Sequence, residues 1–121
     1  MDTMDLLLNT DAQKMPEKNV RIKRLSRACG GDVVFTLKGL GYSRVAELRK
    51  YHSEDMDIHI LLAGVVAPDL KSTALADKYK ASTPAELIKN MLLPGEIDDL
   101  SREIEKLSGY RGNTFEEIKK K

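Results

Sequence analysis

The stretch that most limits how this chain can fold is PGEIDDLSREIEKL, residues 94 to 107, followed by Ser108-Gly109. Ile97, Leu100, Ile104 and Leu107 recur at spacings of 3, 4 and 3, and every residue between them is charged or serine. That is the apolar seam of two heptads. Pro94 suits the first position of a helix, and Gly109 suits the left-handed residue that closes one. Two heptads are too short for a stable free coiled coil, so the helix must lie on a surface. That surface is either the chain's own core or another protein.

The chain has 121 residues, room for one domain. A chain of this size buries roughly two thirds of its unfolded surface, enough for one modest core. Charged residues make up 32% and aromatics only 5%, with no Trp, which fits a helix-rich protein. The single cysteine, Cys29, leaves no intramolecular disulfide and no multi-cysteine zinc site, and it fits a reducing cytoplasm. The longest apolar run, about Ile60 to Ala67, falls far short of a membrane span. The start is acidic where a secretory signal would be basic. A cytoplasmic protein is expected, with no membrane partner.

The fold class read from the pattern is α+β, mainly α, with an N-terminal β-hairpin packed on four or five short helices. Val20 and Ile22, then Val33, Phe35 and Leu37, alternate with polar neighbours, which predicts strands near 19–26 and 32–39. Cys29-Gly30-Gly31-Asp32 between them supplies the reversal. Ser43 is placed to cap a helix burying Val45, Leu48 and Tyr51. Ser53 is placed to cap another carrying Ile58, Leu61, Leu62 and Val65, closed by Ala67-Pro68. A turn and a short helix follow, to about Tyr79. Thr83-Pro84-Ala85-Glu86 is a capping box with Pro at the first helical position, and it opens a helix burying Leu87, Ile88, Met91 and Leu92. The domain so defined is 19–110, between flexible tails at 1–18 and 111–121. Leu6-Leu7-Leu8 breaks the polar first tail; the segment is either a mobile tail or, because three adjacent leucines left in water are unfavourable, a docking patch in cis or in trans.

Candidate chemistry is thin. His52, Asp55 and His59 would share one face of a continuous helix, as zinc ligands must, but a cap at Ser53 leaves His52 outside it. Gly39-Leu40-Gly41 stands between a strand and a helix, yet Arg44 occupies the place of the third glycine of a dinucleotide turn. Cys29 lies near Arg24 and Arg27, which favour a thiolate, but has no histidine base nearby. No catalytic, metal or cofactor site is expected, and an enzyme is not. Lys18 to Lys50 carries nine basic and two acidic residues, and residues 94 to 107 carry two basic and five acidic. The hairpin and the last helix therefore either attract each other, or drive self-association. A basic hairpin that binds nucleic acid is the alternative, with Phe35 and Tyr42, the only aromatics from Lys18 to Lys50, as a poor stacking platform.

Residues 61 to 110 resemble tail assembly chaperones of the XkdN type, found in PBSX-like prophages and contractile-tailed phages. The resembling pieces are Val66-Ala67-Pro68-Asp69-Leu70, Lys78-Tyr79, Thr83-Pro84-Ala85-Glu86-Leu87, Leu92-Leu93-Pro94-Gly95-Glu96-Ile97 and Leu107-Ser108-Gly109-Tyr110. The resemblance implies a non-catalytic protein without cofactors, made by a phage or prophage in the bacterial cytoplasm and absent from the mature virion. Its implied partner is the tape-measure protein, held soluble until tail-tube subunits polymerise around it, with the tail-tube protein a further partner. A small nucleic-acid-binding regulator and a structural tail or baseplate component are the rival readings. The residues expected to meet a partner are Ile97, Leu100, Ile104 and Leu107, with Leu6, Leu7 and Leu8. Lys119-Lys120-Lys121 raises the expectation of a slippery codon run and a minor, frameshifted longer product.

Overall fold

The computed structural model describes residues 2–11 and 14–119. Its elements run α1 (Thr3–Leu8), β1 (Glu17–Arg21), α2 (Lys23–Cys29), β2 (Val34–Lys38), α3 (Tyr42–Tyr51), α4 (Met56–Gly64), β3 (Val65–Ala67), α5 (Thr73–Lys78), α6 (Pro84–Met91) and α7 (Pro94–Leu107). The strands form one antiparallel sheet in the order β1-β2-β3. The class is α+β with an N-terminal hairpin, as the pattern predicts, and the five expected helices are α3 to α7.

The hairpin is not a tight one. Glu17 pairs with Lys38 and Arg21 with Val34, and the nitrogen of Ile22 adds one more bond to Val33 O at 2.9 Å. Residues 23–26, expected to continue the first strand, instead open the helix Lys23–Cys29. Its sequence KRLSRAC alternates too briefly to sustain a strand, and one helical face buries Leu25 and Ser26. Gly30, at φ +71°, ends this helix in the left-handed conformation. Ser26 Oγ accepts from the Val33 nitrogen at 2.9 Å, tying α2 to β2. Phe35 and Leu37 point into the core and Val34 to solvent, as the alternation requires.

Three helix boundaries also differ from expectation. Helix α3 starts at Tyr42 with Gly41 at its N-cap, so Ser43 lies inside the first turn. Helix α4 starts at Met56 with Asp55 in the cap position, not Ser53. It stops at Gly64, before Ala67-Pro68, because Val65 to Ala67 pair with β2 as a third strand. β-Branched valines favour that pleated, half-buried setting. By contrast α6 begins as its local chemistry dictates: Thr83 Oγ1 accepts from the Glu86 nitrogen at 3.1 Å, with Pro84 first in the helix.

The core joins the inner face of the sheet to α4, α6 and α7. Phe35, Leu37, Leu48, Leu61, Leu87, Ile88 and Ile104 are its most deeply buried side chains. Among the described residues, no buried side-chain polar atom lacks a hydrogen-bond partner, and no helix is long and apolar enough to cross a membrane.

Candidate partner-binding surface

The seam of α7 faces inward. Ile97 and Leu100 are each 6% exposed and Ile104 is fully buried, while Leu107 is half-buried at the end of the stripe. Helix α7 lies chiefly on α4, and it also touches β2. The approach is close because Gly64 faces Ile104, where a Cβ would fall 2.7 Å from the isoleucine side chain. At the other end, a Cβ on Gly39 would collide with the Leu107 carbonyl, and Ser108 Oγ accepts from the Leu40 nitrogen at 2.8 Å. Gly39 thus makes room for a helix end; a phosphate is not needed to explain it. In the folded chain Ile97, Leu100 and Ile104 pack into the core.

The leucines at the other terminus are placed oppositely. Helix α1 is capped by Asp2, whose carboxylate accepts from the Asp5 nitrogen at 2.9 Å, and it buries no residue. Leu6, Leu7 and Leu8 are 55%, 59% and 74% exposed, and Met4 is exposed beside them. Met4, Leu7 and Leu8 fall at i, i+3 and i+4, one face of the helix. A six-residue helix cannot hold itself together in water. Its apolar face lies uncovered in the isolated chain.

The basic and acidic halves of the sequence meet. Arg24 of α2 reaches Glu96 of α7 through Nε and Nη2, with a shortest contact of 2.8 Å, and its Nη2 also donates to Met91 O. Lys18 of β1 pairs with Glu103. These hydrogen bonds hold the Glu96 and Glu103 carboxyls below the usual carboxylate range. Glu96 also accepts from the Leu93 nitrogen at 2.7 Å, closing the start of α7. Part of the basic charge of the hairpin is thereby spent inside the fold.

The His52 and His59 rings stack, with centroids 3.8 Å apart. Stacked rings hold their in-plane lone pairs in parallel planes and do not converge on one ion. Burial, and then His52, lower the pKa of His59. Cys29 is exposed. Lys120 and Lys121 of the expected slippery run lie outside the described residues. One surface differs from the sequence reading: α3 fully buries only Leu48, Val45 is half-buried, and Tyr51, expected inside, lies open to solvent with Tyr42 because it stands in the last turn, beyond the core. Phe115 and Ile118 are also exposed, and only their spacing of three hinted at a common face.

Over residues 4–120 the chain matches the family model described as phage XkdN-like tail assembly chaperone protein. Among solved structures it is similar to the crystal structure of the protein yqbn, at 24% identity and a TM-score of 0.62, over 84% of this chain and 92% of that one. At that identity the likeness bears on the fold alone. No curated protein matches.

Proposed function

The chain belongs to the XkdN-like family of phage tail assembly chaperones, and we propose that it binds the tape-measure protein and keeps it soluble until tail-tube subunits polymerise around it. It acts in this reading without catalysis, in the host cytoplasm, and is absent from the finished tail. The observation that carries it is α1, a helix with three exposed leucines and no buried residue. Apolar burial recognises a helix face without reading its charge, as a holder of a long apolar-faced helical chain requires. Full burial of one leucine is worth roughly 1.5–3 kcal/mol, so three of them give about 4.5–9 kcal/mol, around the 8 kcal/mol of a micromolar contact before ordering costs. Such a contact is reversible, and a chaperone must let go.

The test is co-expression with overlapping fragments of the tape-measure protein of the same phage or prophage. At least one fragment should become more soluble and co-purify through moderate salt, because apolar burial is not screened as ion pairs are. No bound fragment would remove the tape-measure reading. Retention on nucleic acid that salt abolishes would favour the basic hairpin instead.

A further inference from the structure

Helix α3 is ten residues long and buries one of them, while Tyr42 is 90% exposed. Beside it opens an apolar cavity of about 200 Å³ lined by Val45, Leu48, Met56, Ile60 and Ile104. This has room for a side chain, whereas drug-sized ligands need roughly 300–1,000 Å³. A shallower depression along Tyr42, Ala46 and Lys50 adjoins it, the two sharing Val45, Arg49 and Tyr110 as walls. Tyr110 is fixed there: its hydroxyl accepts from Arg49 Nη2 at 3.2 Å.

The chain leaves α7 at that same wall. Beyond it, residues 113–119 carry no regular secondary structure, and Phe115 and Ile118 are 82% and 91% exposed. Three residues apart, they would share one face of a helical turn. Thr114 and Glu117 stand at capping-box spacing, and Glu116 and Glu117 lie between the two apolar residues. The groove has the opposite charge, from Arg49 and Lys50. Glu105, the one carboxylate among its described lining residues, is already paired with Arg111 at 2.8 Å.

We propose that residues 114–118 fold back onto α3 of the same molecule as a strap. Phe115 enters the cavity, Ile118 covers Val45 and Ala46, and the two glutamates bring negative charge beside Arg49 and Lys50. The structure holds the open form. Phe115 lies five residues beyond Tyr110, a reach of up to about 17 Å of extended chain. So short a tether gives a local concentration of about millimolar, which favours the chain's own segment over a second copy. Closed, the strap covers the apolar groove, and any helix that uses α3 must displace it.

The test is paramagnetic broadening in the full chain. A spin label is attached at Lys119→Cys in a Cys29→Ser background, and amide signals of Val45, Ala46 and Arg49 are followed. These should broaden selectively, and the effect should vanish in Phe115→Asp/Ile118→Asp and weaken in Glu116→Lys/Glu117→Lys. Equal broadening in the Asp variant, or none in the parent, overturns the strap. Broadening that appears when labelled chain is mixed with isotopically enriched, unlabelled-tail chain overturns it too, since the segment would then dock on a second copy.

Discussion

Gly64 and Ile104 are packed so closely that a Cβ on the glycine would lie 2.7 Å from the isoleucine side chain. The seam of α7 closes on α4 with no space for a methyl group. Gly64→Ala should therefore cost about 1–3 kcal/mol through overpacking, read as a shift of the urea midpoint at constant slope. Ile104→Val should recover part of that loss in the double variant, as contacting residues couple. An unchanged midpoint for Gly64→Ala would mean that the two helices are further apart.

The same seam separates core from surface. Leu100→Asp places a carboxylate where Leu100 is 6% exposed, and it should unfold the chain or weaken it by several kcal/mol. Circular dichroism and urea unfolding decide this. A fully stable Leu100→Asp protein would return the stripe to the list of partner surfaces.

Thr83→Ala should cost about 1 kcal/mol, the ordinary value of a lost helix cap. The cap is the bond from the Glu86 nitrogen to Thr83 Oγ1. Thr83→Ser should retain most of it. No loss on Thr83→Ala would place the start of α6 elsewhere.

Acid should weaken the fold in two separate windows. Burial and His52 lower the pKa of His59, with Asp55 opposing and Arg44 and Lys89 assisting. The folded state thus prefers the neutral ring. Its contribution is complete above the ordinary value of 6.5 and is lost as pH falls through the lower folded value. Glu96 and Glu103 are lowered by Arg24 and Lys18, so their contribution holds above 4.5 and is lost below it. Urea midpoints measured against pH should fall in both windows. His59→Gln should flatten the first and Glu96→Gln the second. A profile unaffected by either substitution would contradict the assignment.

What the sequence made legible was mostly local. The α6 cap is spelled by Thr83, Pro84 and Glu86, whose contacts lie within one turn. The seam residues announced an amphipathic helix, yet a stripe encodes a face and not the surface it meets. That surface is supplied by Gly64, forty residues earlier, and no pattern links the two. Val65 to Ala67 continue an apolar run and look like helix until β2 offers an open edge. Val20 and Ile22 gave two beats of alternation, too few to show that 23–29 would coil. For the candidate surface, Leu6-Leu7-Leu8 stood out because nothing nearby could cover them. The α3 groove did not, since its walls come from α3, α4 and α7 together.

The most direct measurement compares binding of a tape-measure fragment by the parent chain and by Leu6→Ser/Leu7→Ser/Leu8→Ser. All three leucines are exposed and α1 buries nothing, so the variant should keep the parent's circular dichroism and urea midpoint. It should also lose the fragment, with affinity falling at least roughly tenfold for each 1.4 kcal/mol of burial removed. A stable variant that holds the fragment as tightly as the parent would contradict the assignment of α1 as the chaperone surface.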